Sequence, residues 1–362
     1  MKEYLVDRAA LGRNIDLLRQ RAGQARVIGV IKGNGYGLGL IPMAEVLLAH
    51  GVDFFAVTEL SEVTALRENG FVREEILMME ATCQPCEIAA LIENGAILSV
   101  GSLEAAQRIQ TQAELLGQTA RVHVKLDTGM GRFGFHPSET GEILRVYQAY
   151  PNIQVCGIYT HFYLASDKAV AQRQFSQLRQ VVSALREAEI QPGMVHCCNS
   201  TAFWLYPEMH CDAVRLGSAL LGRVNFSDST GLTVIGQCQA AIEEIRTLPK
   251  GHTVGYGGGW VARRDTRIAI LPIGYINGFG VDRGYDLWRP KDCIRGMARY
   301  LKAWLRHKAL YVTVNGQSCR VLGHVGMVNL VIDVTDCPCQ RGDLAMVKIN
   351  PLVLKDVPVR FL

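Results

Sequence analysis

The strongest constraint on this chain is a repeat, in which short apolar runs alternate with longer segments of helical spacing. The apolar runs lie at 27–31, 54–57, 76–79, 96–100, 120–126, 154–160, 194–198 and 214–216. The helical segments lie at 11–21, 41–50, 60–69, 86–94, 103–116, 139–149 and 169–188, with apolar residues three and four positions apart. Short strands separated by amphipathic helices make parallel βα units. Eight such strands over about 220 residues predict a closed (β/α)8 barrel of the TIM type. After Thr230 the texture changes to runs at 234–245, 252–261, 267–271, 310–314, 318–322 and 330–334, with short turns between them. Asn315-Gly316 is a hairpin signal between two of these. The fold expected is α/β, with the barrel over residues 1–228 and a mostly antiparallel β domain over 229–362. The boundary is expected within 225–232.

With 362 residues, 49% of them hydrophobic, the chain can bury a large core. A formal charge of +4 gives no electrostatic footprint for nucleic acid. No apolar run approaches the length of a membrane span, and Met1-Lys2-Glu3-Tyr4 opens no leader pattern. Eleven cysteines in such a chain read as reduced thiols, so a cytoplasmic protein with no membrane partner is expected. Cys83-Gln84-Pro85-Cys86 and Cys337-Pro338-Cys339 have the look of zinc half-sites. Neither has a histidine nearby and the second is too tight, so no metal is expected.

In a barrel, chemistry collects where strands end, and this chain places polar residues there repeatedly. The first case is Val30-Ile31-Lys32-Gly33-Asn34-Gly35-Tyr36-Gly37-Leu38-Gly39. An ammonium beside a strand core is costly unless paired or deprotonated, and a deprotonated lysine attacks aldehydes. A Schiff base with pyridoxal phosphate is its commonest use. The glycines would let backbone N–H groups approach a ligand, and Tyr36 offers a hydroxyl to a phosphate. The later strand ends carry Lys125, Asp127 and Arg132; His161; Asn199-Ser200; and Arg215 with Gly217-Ser218. Each alone reads equally as a charge cluster, a loop or a satisfied core histidine. Five together, at equivalent strand ends, point to one site.

These stretches resemble the alanine racemases, fold-type III pyridoxal 5'-phosphate enzymes. The resemblance rests on 30–39, 125–134, 157–162, Asn199-Ser200, 213–218, Tyr256-Gly257, 272–278 and 323–335, in order through nearly the whole chain. It implies that Lys32 holds the cofactor and is one of two acid–base groups. Tyr256, from the partner subunit of a homodimer with composite sites, would be the other. Racemisation needs bases on opposite faces of a planar carbanion, so one lysine does not suffice. Arg215 matches the arginine facing the pyridine nitrogen, and His161 would hydrogen-bond toward Tyr256. Tyr36, Ser200, Gly217 and Ser218 would hold the phosphate. Arg132 would contact cofactor and substrate carboxylate, Met327 would meet that carboxylate, and Tyr275 matches a tyrosine at the entrance. The family's counterpart of Lys125 is often carbamylated.

The departures are local. The lysine motif usually has alanines and a histidine where this chain has Gly33, Gly35 and Leu38, and the aspartate usual after the methionine is Val328. Between Asp343 and Pro358 the family's helix and its phosphate-binding tyrosine are missing. Residues 280–310 are longer than the family loop, and 294–305 has helical spacing with a basic face. That insertion reads as a lid, a partner or a membrane-surface contact. The simpler reading is a helix packed where the missing one would lie.

The function expected is racemisation of a small amino acid, alanine or serine. The competing class is a non-catalytic pyridoxal phosphate-binding or regulatory homologue. Fold-type III decarboxylases rank behind both, since they lack the 127–132 stretch in this form.

Overall fold

The structure, a computed structural model, describes residues 1–224, 230–281, 290–305 and 309–362. Two compact units emerge, residues 7–235 in one and residues 1–6 with 236–362 in the other. The first strand, β1 (Lys2–Val6), belongs to the second unit, although the sequence groups it with the barrel. The boundary expected at 225–232 falls in part on 225–229, outside the described residues.

The first unit is the barrel. Its strands are β2 (Arg26–Val30), β3 (Phe54–Val57), β4 (Glu75–Met78), β5 (Leu98–Val100), β6 (Ala120–Leu126), β7 (Ile153–Thr160), β8 (Met194–His196) and β9 (Ala213–Leu216). All pairings are parallel, in the order β4-β3-β2-β9-β8-β7-β6-β5. A backbone bridge between Leu77 and Ile97 joins the two ends of that order. Inside, Ile28, Val30, Phe54, Ala56, Leu77 and Ala213 form a single buried cluster, as the period-two alternation of strands requires. At the N-terminal mouth the Glu75 carboxylate accepts from both Arg26 and Arg121, tying three strands together. The helices start where the sequence supplies caps: Asp7, Ser102 and Asp167 each accept from a first-turn N–H.

The second unit is a nine-stranded sheet with an additional small hairpin. Its later strands are β10 (Gly236–Ala241), β11 (Glu244–Leu248), β12 (Thr253–Val254), β13 (Trp260–Val261), β14 (Thr266–Leu271), β15 (Tyr311–Val314), β16 (Gln317–Leu322), β17 (Leu330–Asp333), β18 (Leu344–Val347) and β19 (Val359–Phe361). The sheet order is β11-β14-β17-β16-β15-β18-β10-β1-β19, antiparallel except for β1 with β19. Asn315 and Gly316 take left-handed backbone between β15 and β16, as that dipeptide favours.

Three expectations are corrected here. The run 234–245 is two strands, since the chain leaves β10 and re-enters the sheet at its far edge as β11. The run 252–261 is a two-residue hairpin, β12 with β13, wrapped around a 3-10 turn at Tyr256–Gly258. Glycines 255, 257 and 258 all have φ between 61° and 78°, which no strand sustains. The insertion forms a helix, Pro290–Leu305, but it does not pack through its apolar side. Ile294, Met297, Leu301 and Leu305 are exposed, while Asp292, Cys293, Gly296 and Ala303 are its less exposed positions. Residues 282–289 and 306–308 of that insertion lie outside the described residues. The tail holds one 3-10 turn, Pro351–Val353, in place of the family's helix.

Candidate active site

The C-terminal ends of the barrel strands converge on a buried polar cluster. Lys32 leaves β2 and begins a left-handed turn, because Gly33, Asn34, Gly35 and Tyr36 all have φ between 54° and 62°. L-residues avoid that region, glycine enters it freely and asparagine tolerates it. The glycines therefore build the turn, and the N–H groups of Gly35, Gly37 and Gly39 are spent within it. Gly35 N–H bonds Ile31 O, Gly37 N–H bonds Gly33 O, and Asn34 N–H is taken by the buried Glu62 carboxylate at 2.9 Å. The other Glu62 oxygen accepts from Thr58 N–H at 3.0 Å. Glu62 thus pins the Lys32 turn to the next βα loop.

Arg215, at the end of β9, is the hub. One terminal nitrogen, Nη1, lies 2.5 Å from His196 Nδ1. The other, Nη2, donates to Thr160 O at 2.7 Å and Cys197 O at 3.3 Å, and reaches His161 Nδ1 at 3.4 Å. Its guanidinium carbon lies 5.0 Å from the Tyr159 ring centroid. The remaining nitrogen, Nε, is buried with no hydrogen-bond partner among the described residues. His196 in turn lies 2.9 Å from His123 Nδ1. Burial, reinforced by the charge of Arg215, lowers His161 and His123 to about 3 and His196 well below the ordinary histidine range. All three imidazoles are neutral at neutral pH.

Lys125 ends β6 and donates to Met79 O at 2.8 Å. Burial lowers it to about 8, helped by the positive charges of Arg132, Arg215 and Lys32. Asp127 turns the following loop. Burial opposes its charge, yet the backbone N–H groups of Gly129, Gly131, Arg132 and Met130 hold its carboxyl below the usual range. Arg132 itself is exposed on that loop.

A second group of polar atoms lies at Ser200, Gly217 and Tyr36. The Ser200 hydroxyl accepts from Gly217 N–H and Ala219 N–H, both at 3.2 Å. A Cβ on Gly217 would stand 2.0 Å from the Tyr36 hydroxyl, so any larger residue there displaces the phenol. Burial raises Tyr36 to about 12, which keeps that hydroxyl a donor. Ser218 continues the same strand-to-loop turn.

Three expected site residues lie on the second unit. Tyr256 is 86% exposed at the tip of its hairpin. Tyr275 and Met327, each about half exposed, share a backbone clamp: Tyr275 N–H donates to Gly326 O at 3.0 Å and Ile276 N–H to Met327 O at 3.1 Å. A Cβ on Gly274 would lie 2.3 Å from Gly326 O, so glycine there permits the clamp. Among the described residues no group of three or more His, Cys, Asp or Glu side chains is arranged to hold a metal ion.

Known proteins share both units. The model of the alanine racemase N-terminal domain matches residues 6–224, and that of the alanine racemase C-terminal domain matches residues 235–351. The chain belongs to the alanine racemase family. An alanine racemase from Desulforamulus reducens is 33% identical over 98% of this chain and 90% of that protein. The solved alanine racemase of Clostridium difficile 630 superposes with a TM-score of 0.83 at 26% identity, over 99% of this chain and 88% of the other. The alanine racemase of a D-cycloserine-producing Streptomyces lavendulae gives 0.84 at 25%, over 100% and 97%. Alanine racemases are pyridoxal phosphate-dependent racemases, and this chain has donors suited to that cofactor. The orphaned Nε of Arg215 needs an acceptor, and the hydroxyls of Tyr36 and Ser200, both beside Gly217, offer donors for a phosphate.

The sequence missed His123, His196 and Glu62. For the first a signal existed, because Arg121, His123 and Lys125 alternate with apolar residues along β6 and so share a face. His196 and Glu62 each stand singly in the sequence, and only tertiary packing brings them to Arg215 and Asn34.

Proposed function

We propose that this alanine racemase interconverts L- and D-alanine by a two-base mechanism, with L-serine as a slower substrate. The unpartnered Nε of buried Arg215 is the observation that best supports this reading. It is a donor waiting for a neutral acceptor such as a pyridine nitrogen, within electrostatic reach of Lys32 through His161. Pyridoxal phosphate, when bound, supplies the electron sink that makes the α-proton of an attached amino acid acidic.

The residues of this chain do the rest. Lys32 would hold the cofactor covalently and would exchange the α-proton on one face. The partner subunit's Tyr256 exchanges it on the other, and a high exposure at a hairpin tip suits a residue that serves a second subunit. His161 accepts from Arg215 through Nδ1, which leaves its proton on Nε2 to donate toward that phenol. Arg215, through its unpartnered Nε, would face the ring nitrogen of the cofactor, and a guanidinium there donates a hydrogen bond without giving up its proton. Tyr36, Ser200, Gly217 and Ser218 hold the phosphate. Arg132, Met327 and Tyr275 bind the substrate carboxylate and line the entrance. A serine hydroxyl differs from an alanine hydrogen by about 1–3 kcal/mol of discrimination in such a pocket.

Deuterium exchange at the α-carbon tests this. In D₂O the cofactor-loaded protein should place deuterium in alanine and release both enantiomers, with serine slower. A bound-cofactor absorbance band with no exchange for any amino acid would transfer the protein to the non-catalytic binding class.

A further inference from the structure

The helix Pro290–Leu305 is turned the wrong way for a core element. Its less exposed positions are Asp292, Cys293, Gly296 and Ala303, which fall within an arc of about 100° on one side. Its large apolar residues point away from that side. Ile294 is 62% exposed, Met297 64%, Leu301 57% and Leu305 61%. At 100° per residue these four fall within an arc of about 80°. Immediately beside them, on one flank, Lys291, Arg295, Arg299 and Lys302 fall within a similar arc of about 80°. On the other flank stands Tyr300, 67% exposed. The only acid in the helix, Asp292, sits on the less exposed side and is 3.6 Å from Arg295.

Such an arrangement is matched by few surroundings. An antiparallel pairing of two copies through the apolar stripe would set two cationic rows side by side. A bilayer surface rich in anionic lipid matches both halves of the pattern at once: the stripe enters the acyl boundary, the cations meet phosphate headgroups and Tyr300 sits at the water boundary. With 16 residues the helix is about 24 Å long, too short and too charged to cross the membrane but long enough to lie in its surface.

We infer that the helix Pro290–Leu305 is an in-plane docking element for anionic lipid bilayers, seating the apolar stripe of Ile294, Met297, Leu301 and Leu305 beneath headgroups held by its basic flank. None of these residues belongs to the proposed racemisation machinery, so surface binding and catalysis are separable.

Vesicle flotation of the cofactor-loaded, full-length protein tests this, with phosphatidylcholine vesicles set beside equimolar phosphatidylcholine and phosphatidylglycerol vesicles. Binding is expected on the anionic vesicles only, released by raised salt. Met297→Glu with Leu301→Glu should abolish flotation while leaving racemisation unchanged, which shows that the variant is folded. Arg295→Gln with Lys302→Gln should lower the partition coefficient roughly thirtyfold, the attraction of two basic side chains to an anionic leaflet. No flotation on anionic vesicles would overturn the inference, as would flotation that survives the paired glutamates. A change of oligomeric state in the glutamate variant, seen by light scattering without vesicles, would assign the stripe to a second copy of the chain instead.

Discussion

Arg215 Nη1 and His196 Nδ1 stand 2.5 Å apart in the barrel interior, and this contact fixes the tautomers behind the site. A guanidinium only donates, so His196 accepts on Nδ1 and carries its proton on Nε2. That proton faces His123 Nδ1 at 2.9 Å, which leaves His123 protonated on Nε2. A chain of two histidines therefore orients the arginine from below. His196→Ala should leave a buried guanidinium N–H without an acceptor, costing about 1–3 kcal/mol. Urea unfolding at pH 7 measures that loss, and racemisation should fall with it as Arg215 loosens.

The same burial gives a pH dependence with a definite sign. His123 and His161 are lowered to about 3 in the folded chain, against an ordinary histidine value near 6.5, chiefly by burial. Below pH 6.5 the unfolded chain takes up protons that the folded chain refuses, so acid favours unfolding. The stabilisation from keeping them neutral is complete above about pH 6.5 and is lost steadily as pH falls toward 3. The urea midpoint should drop between pH 7 and pH 4.5, and His123→Asn should flatten that slope.

Lys125 is held at about 8, far below an ordinary lysine, by burial and by three neighbouring cations. A substantial neutral fraction at pH 8 makes the amine reactive toward carbon dioxide. In labelled bicarbonate the wild type should give a carbamate carbon resonance that Lys125→Ala lacks. The Lys125→Ala protein should also lose less stability than a buried lysine usually implies, since it removes a desolvated charge.

Gly217 leaves the Tyr36 hydroxyl in place, because a Cβ there would lie 2.0 Å from it. Gly217→Ala should push the phenol out of place and weaken pyridoxal phosphate binding at least tenfold. Spectral titration of the cofactor reads this directly, and an unchanged circular dichroism spectrum would show that the barrel persists.

Tyr256→Phe removes one hydroxyl from a residue that is almost wholly exposed. Stability should stay within about 0.5 kcal/mol and the cofactor absorbance should remain. Racemisation should vanish in both directions. Exchange at the wild-type rate in this variant would remove the second base from the mechanism.

Much of the barrel was legible because each of its strands is locally complete. Phe54–Val57 is short and apolar, Ala120–Leu126 alternates apolar with polar residues, and their partners follow from the βα rule. The sheet of the second unit was harder to read, because its neighbours are far apart in sequence. Lys2–Val6 pairs with residues more than two hundred positions on, and nothing local marks it. The short strands Leu344–Val347 and Val359–Phe361 were missed for the same reason. At the site, the residues at strand ends could be read from position alone. The left-handed conformation of Gly33 to Tyr36 could not, since glycine in a motif signals freedom without saying how it is used.

The pairing of Lys2–Val6 with Val359–Phe361 orders events during synthesis. Residues 7–235 are one continuous stretch and can fold while the ribosome is still working. Lys2–Val6 has to wait, since its partners Gly236–Ala241 and Val359–Phe361 follow the barrel in the chain. Until those are made its N–H and C=O groups are unpaired, a template for pairing with another chain. A mutation that slows elongation after the barrel would lengthen that exposure without touching any contact of the finished protein.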